Sequence, residues 1–389
     1  MPSAKFKESD GTILVESTVT QRSNDAPANL AERRDGDEPS LRLAAGELVR
    51  NDVLALSIFI ADFALYLFLI FLALAPLGYG INIAGSIAAG FIIGAIFTLG
   101  HDACHQALTT HPRLNIWLAR IAFVPSAHAV SLWILGHNQI HHGFTNLKGR
   151  DYVWEPMSPG EYAAAGAGRR VFYRLCRGPI GGLPYYLVEM WWKKNFIPIA
   201  PEARRRWRHH LFDSAFAVLS QVVVVAGVIS LGRGLDPAKS IPSTVSLGWL
   251  LPFIVWNWLM GVIIYVHHTH PAIPWFNDRK KWRAAQVKTR GTVHVRLPQP
   301  LHILSNNIME HNAHHLDPSI PFYHLATAQA QVRRLVEGIV FLQLGLGSYL
   351  DIVRQCKLFD FDRGCWIRFG EEDMTAVPRP AHAGSLADR

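Results

Sequence analysis

The sequence predicts an all-α integral membrane protein: four transmembrane helices in two hairpins, with a cytoplasmic helical cap that carries the histidine-rich clusters. Three observations predict it. Of the 389 residues 50% are hydrophobic and only 17% charged, more apolar and less charged than a typical soluble domain. Four apolar runs, near 53–75, 81–99, 211–231 and 247–266, are each about 20 residues long, enough to cross a hydrocarbon core of about 30 Å as a helix. Histidines gather where these runs end.

Residues 1–45 are polar and mixed in charge, as in Arg33-Arg34-Asp35-Gly36-Asp37-Glu38, without the apolar core and cleavage pattern of a secretory signal. They are expected to form a disordered cytoplasmic N-terminus. A membrane domain follows over 46–350. Its first run, Val53–Leu74, holds one charge, Asp62, which is either turned inward to a partner or functional. The connector Pro76-Leu77-Gly78-Tyr79-Gly80 allows only a tight turn, so the second run, Ile81–Leu99, returns to the starting side.

There the chain reads HDACH (101–105). The apolar stretch Leu114–Leu135 is broken by Arg120, Pro125 and His128 and reads as interfacial or re-entrant, which keeps HNQIHH (137–142) on the same face. Leu211–Leu231 and Leu247–Val266 make the second hairpin, and it delivers His267-His268-Thr269-His270 to that face too. Between 101 and 210 there are 14 Lys and Arg against six Asp and Glu, while the loop 232–246 holds only Arg233 and Lys239. The positive-inside rule therefore places all the clusters in the cytoplasm. The last cluster is HNAHH (311–315); Leu335–Leu350 is expected as a helix packed on the cap, and 351–389 as a cytoplasmic tail.

Two further compositional facts restrict function. The four cysteines, Cys104, Cys176, Cys356 and Cys365, have no framework spacing and read as reduced thiols. The net charge of +8 comes with no RNP, zinc-finger or helix-turn-helix signature, so it reflects membrane topology and not nucleic-acid binding.

Eight of the 19 histidines lie in the three short windows, at three- and four-residue spacings that share a helix face. No packing or capping rule asks for that pattern; a polynuclear metal site does. With one or more from 267–270 the count is about nine, too many for one tetrahedral zinc and right for two ions. Neutral nitrogen ligands suit Fe, Cu, Zn or Ni. A redox-capable pair at a membrane face points to oxygen chemistry on an unactivated C–H bond, because a hydrolytic dizinc site would use carboxylates and the windows offer only Asp102 and Glu310. Asp102 and Asp151 are placed to orient ligand imidazoles. Trp191, Trp192, Trp256 and Trp258 read as membrane interface or tunnel lining, and His111, His128, His209, His210, His302 and His324 as packing or interfacial residues.

The three windows, the run His141-His142-Gly143-Phe144-Thr145-Asn146 through Asp151 to Trp154-Glu155-Pro156, His267-His268-Thr269-His270-Pro271, Gly291-Thr292-Val293-His294 and Ile320-Pro321-Phe322-Tyr323-His324 resemble the membrane fatty acid desaturase family. They are closest to its acyl-lipid omega-6 (delta-12) branch. The resemblance covers about 50–335. It implies a non-haem di-iron centre and O2-dependent insertion of a cis double bond, oleoyl to linoleoyl, with His101, His105, His137, His141, His142, His311, His314 and His315 as ligands and His268 as the ninth. It leaves open whether His267, His270 and His294 contribute, as well as Asn306, which stands where relatives are expected to carry His.

No haem-attachment, dinucleotide-binding or iron–sulfur motif accompanies the boxes, so a separate ferredoxin or cytochrome b5-type donor is implied. A fatty acid or carotenoid hydroxylase or ketolase on the same scaffold is the nearest alternative. A metal transporter or sensor is the more distant one, since its ligands would lie near the bilayer midplane.

Overall fold

The computed structural model describes residues 49–371; the expectations for 1–45 and for the tail beyond 371 lie outside the described residues. The fold is mostly helical. Four stretches, Asp52–Leu74, Tyr79–Cys104, Gly182–Leu235 and Ile241–His268, are long and apolar enough to cross a membrane. Their regular α-helical parts are α1 (Asp52–Leu74), α2 (Tyr79–Cys104), α3 (Trp207–Leu235) and α4 (Leu251–His268).

Helix α1 starts where the Asn51 side chain accepts from the Leu54 amide, 2.9 Å, the usual way of satisfying a first-turn donor. It is apolar on every side, and Ile60, Leu67 and Phe68 remain exposed, as a lipid-facing helix requires. Its last carbonyls need donors, and they are found elsewhere in the chain. Asn82 Nδ2 donates to the carbonyls of Leu72 and Ala75, both at 2.8 Å, and the buried Lys239 Nζ to that of Leu74 at 2.6 Å.

Helix α2 lies between α1 and α4 and is the most buried of the four. Gly90 allows the close approach to α4: a Cβ there would stand 2.6 Å from Val255 and 2.9 Å from the Pro252 carbonyl oxygen. Toward the histidines, Phe97 packs against Phe123, Trp133 and Trp256 with ring centroids 4.5, 4.8 and 4.6 Å away, a dry aromatic layer directly under the site. The segment 114–135 forms a short helix, Pro112–Ala122, a turn, and a second short helix, Val130–Trp133, that runs on into the second box. Arg120, which interrupts its apolar pattern, pairs with the buried Asp213 of α3 at 2.8 Å.

Three expectations need correction. The apolar runs ending at 99 and 266 underestimate the helices, which continue to Cys104 and His268; hydropathy stops at the first polar residue, whereas a helix continues wherever the protein buries that residue. Leu335–Leu350 is not one helix. Gly338, at φ +76°, follows the helix Leu325–Leu335, and strand β2 (Val340–Gln343) then pairs in parallel with β1 (Val293–Arg296), Val293 opposite Val340. A second pair, β3 (Leu358–Asp360) and β4 (Cys365–Ile367), is antiparallel. The part outside the long helices is therefore not purely helical, because β-branched and aromatic residues there favour extended pairing.

Candidate metal centre

Helix ends bring the first imidazoles together. His101 sits in the last turn of α2 with His105 as its C-cap, and His268 is the last residue of α4. Both C-termini present the negative end of a helix dipole, which favours a cation between them.

The second box departs from α-helical winding. Ile134–His141 is a π-helix, so partners lie five apart and not four: His137 Nε2 lies 3.1 Å from His142 Nε2, while His141 turns to the other side and lies 3.1 Å from His268 Nε2. The last box is a short α-helix, His311–Leu316. Its i,i+4 pair His311 and His315 lie 3.1 Å apart at Nε2, and His314 crosses to within 3.1 Å of His142 Nε2.

The nine histidines singled out in the sequence thus converge as two groups, His101, His105, His137, His142 and His314, and His141, His268, His311 and His315. Within each group the ligand atoms all lie within 4.8 Å of one another. The groups abut, with the rings of His142 and His315 stacked at 4.3 Å.

The outward-facing ring nitrogens set the tautomers. His101 Nδ1 lies 3.1 Å from Asp102, and His141 Nδ1 lies 3.1 Å from both Asp151 oxygens. Each carboxylate is itself held by backbone amides, Asp102 by Phe322 and Asp151 by Asn146 and Val153. The Thr145 hydroxyl donates to the His141 carbonyl, so its oxygen is the acceptor for His315 Nδ1 at 3.3 Å. Three protons are thereby fixed on the outside, and the Nε2 atoms of His101, His141 and His315 face inward bare.

Burial also drives the pKa values of His105, His137, His142, His311, His314 and His315 well below the ordinary imidazole value, reinforced by neighbouring imidazoles, so these rings are neutral at pH 7. His105 Nε2 is buried with no hydrogen-bond partner. The Nε2 atoms of His101, His137 and His142 crowd together at 2.8 to 3.1 Å, and the chemistry of this all-imidazole donor set fits two cations.

The other candidates lie outside both groups. His267 stacks on His311 at 3.9 Å, His270 Nδ1 accepts from the Ala272 amide, and His294 and His302 both contact Glu310, at 2.7 and 3.2 Å. Asn306 donates to Asp62 and to the Ala95 carbonyl, which gives Asp62 an inward partner. His128 is pinned between the Tyr186 hydroxyl and the Ser126 carbonyl. Sequence reasoning missed Thr145, and also the amides inside the boxes. Asn138 Nδ2 donates to the Cys104 carbonyl, bracing the second box on the first; Asn312 Nδ2 donates to the carbonyls of Thr289 and Thr292, bracing the third. The signal was there: each box carries an Asp or Asn directly after its first histidine.

An apolar cavity of about 260 Å³ reaches this centre, touching His101, His137, His141, His268 and His311. Trp256 and Trp258 are among its walls. Phe91, Trp258, Leu301 and Leu304 line it and are also exposed, so its mouth opens sideways through the apolar flank of the helices.

Residues 77–341 match the family model of fatty acid desaturases. The sn-1 oleoyl-lipid 12-desaturase of Picosynechococcus sp. is 29% identical over 283 residues, covering 72% of this chain and 78% of that protein. That of Synechocystis sp. is 29% identical, covering 71% and 75%. The chloroplastic omega-6 fatty acid desaturase of Brassica napus is 29% identical, covering 70% of this chain and 58% of that protein.

Proposed function

Since the chain belongs to the fatty acid desaturase family and is thus an oxidoreductase of lipid metabolism, we propose that it inserts a cis double bond into an oleoyl chain of a membrane lipid, giving a linoleoyl chain. The observation that carries this is the sideways-opening apolar cavity that ends on the two groups of clustered imidazoles, touching His101, His137, His141, His268 and His311. The relatives named for action on oleoyl lipids at position 12 support the choice of substrate.

In this reading the group of five imidazoles and the group of four would each hold an iron, and the pair would supply, with O2, two electrons and two protons, the oxidising power for removing one hydrogen from each of two adjacent methylenes with release of two waters. The chain's own residues do the rest. The cavity holds the alkyl chain against the ring faces and excludes water. An alkyl chain offers no hydrogen bonds, so cavity length and bend set which methylenes are presented; one methylene of displacement is worth about 1 to 3 kcal/mol. Asp102, Asp151 and Thr145 keep three imidazoles in the ligating tautomer and orientation.

The topology belongs to the same proposal: two helix hairpins with both termini and all boxes in the cytoplasm, where a ferredoxin or cytochrome b5-type protein supplies electrons. Labelling from outside should reach Ala238→Cys but not Gly160→Cys. The activity is tested by expression with a competent donor in a host lacking polyunsaturated lipids, with lipid profiling by mass spectrometry. A diene is expected; a hydroxylated chain, an oxidised carotenoid or a new monoene without diene refutes the assignment.

A further inference from the structure

In the proposed reaction electrons have to reach imidazoles of which the four-membered group is fully buried, and one face of the molecule is suited to receive a carrier. We propose that residues 143–150 and 276–283 form the docking surface for a small acidic one-electron carrier protein, with Trp282 and Thr145 as the bonded path from that surface to His315. The proposal rests on the dinuclear reading above.

Lys148 is neutralised by Glu155 and Glu161, but the remaining exposed charge is basic. The helix Arg279–Ala284 exposes Arg279, Lys280, Lys281 and Arg283, and Asp278, the one acid between 276 and 290, is spent as its N-cap, accepting from the amides of Lys280 and Lys281 at 2.9 and 2.8 Å. Arg150 adds a fifth exposed cation, its guanidinium 4.8 Å over the Phe144 ring. The two segments form one surface because the Lys148 amide donates to the Phe276 carbonyl at 2.8 Å and the Phe276 amide to the Asn146 carbonyl at 3.0 Å. Such a cluster steers an acidic partner and fixes its orientation.

The same surface is the outer end of a short route to a ligand. Trp282 is half-buried, and its Nε1 donates to the Thr145 carbonyl at 2.8 Å. Thr145 Oγ1 is 3.3 Å from His315 Nδ1. One residue and two hydrogen bonds therefore separate a surface indole from the four-imidazole group, and through-bond coupling of this kind carries an electron better than an equal gap through space. Gly143 is exposed with open space where its Cβ would be, so a partner can approach the backbone beside His142. The other basic run, Arg204–Arg206, is also exposed but lies at the start of α3, away from the boxes in sequence and without such a link in its hydrogen bonds. In each transfer the reduced carrier loses one electron and the metal held by the imidazoles gains it; no bond forms or breaks at Trp282, which is not itself oxidised. Two transfers serve one turnover.

The test uses the full chain in nanodiscs, with a [2Fe–2S] ferredoxin and the haem domain of a cytochrome b5 as alternative probes. One of them is expected to bind with a Kd that weakens as salt rises. The variant K280E/K281E/R283E should raise that Kd by about tenfold or more, whereas R204E/R205E/R206E should leave it within about twofold. K280A/K281A/R283A gives the same direction should the reversed charges impair folding. Trp282→Phe should keep Kd and slow oxidation of the bound carrier in stopped flow. Binding of neither probe to the wild type, or a Kd indifferent to the three cations, overturns the docking surface; an unchanged transfer rate in Trp282→Phe overturns the path. Diene formation separates the two readings. If the wild type forms diene while Kd ignores these cations, the surface fails and the desaturase stands; if charge reversal abolishes binding and no diene forms with either carrier, the reverse holds.

Discussion

The group with more imidazoles is the less firmly built of the two. In the four-membered group every histidine is buried; His141 and His315 are each hydrogen-bonded from behind, and His311 lies against the His267 ring. In the five-membered group His105, His137 and His142 are partly exposed, and only His101 has a carboxylate behind it. Ligand number and ligand bracing have been distributed in opposite directions. A braced set of four would keep a metal by preorganisation. A looser set of five would keep one by number and could yield one ligand without losing it.

The largest expected effect is on the braced group. His315→Ala or His141→Ala should reduce diene formation by about two orders of magnitude or more, beyond the 10- to 100-fold typical of residues behind a ligand, with membrane insertion intact. Equal damage from His105→Ala would break the contrast. Next, Asp151→Asn should weaken metal binding by about 10- to 100-fold and by more than Asp102→Asn, since Asp151 meets its imidazole with both oxygens and Asp102 with one. Elemental analysis across a chelator series reads both.

Kinetics of metal loss sharpen the contrast further. Dialysis against a chelator should remove one ion per chain before the other, and His105→Ala should speed only the first phase; simultaneous loss in a single phase would remove the distinction.

A smaller effect is expected from pH. Burial holds the imidazoles of His105, His137, His142, His311, His314 and His315 below their unfolded pKa. Below about pH 6.5 the unfolded chain binds protons that the folded apo chain does not, so apo stability should fall as pH drops through that value and be level above it. Thermal unfolding of the apo form measures this, and a stability that rises on acidification contradicts the burial. The last effect, on product ratio and not on metal binding or stability, should come from Gly136→Ala, whose Cβ would run into the Tyr152 hydroxyl at the cavity wall. It should shift chain-length preference by about the 1 to 3 kcal/mol of one methylene, read as a change in product ratios from mixed chains.

Much of the centre was legible because histidine is rarely used at such spacings for anything but ligation, and all nine candidates stand in the two groups. Their partition was not legible. Pattern reasoning assumes α-helical winding, which would put His137 and His141 on one face; the π-helix sends them to different groups. Thr145 escaped because a hydroxyl acts through local geometry that no spacing records. Asn306 stands before the last box where relatives are expected to carry His, and the sequence does not announce that its amide nitrogen is held by Asp62 and the Ala95 carbonyl. In the fold, four apolar stretches were readable from length alone, whereas their ends and the strand at 340–343 depended on neighbours distant in sequence.

Lys239 places a constraint on biogenesis. Its ammonium caps the Leu74 carbonyl across 165 positions of chain, and the Ser86 hydroxyl waits for the Leu247 carbonyl across 161. During synthesis the first two helices therefore enter the bilayer with polar groups whose partners have not yet left the ribosome. Until the later helices arrive, those groups are the exposed seam of an unfinished protein. A chain stopped before residue 239 should carry that seam permanently, and quality-control proteases that sense polar atoms within the lipid would have a physical feature by which to recognise it.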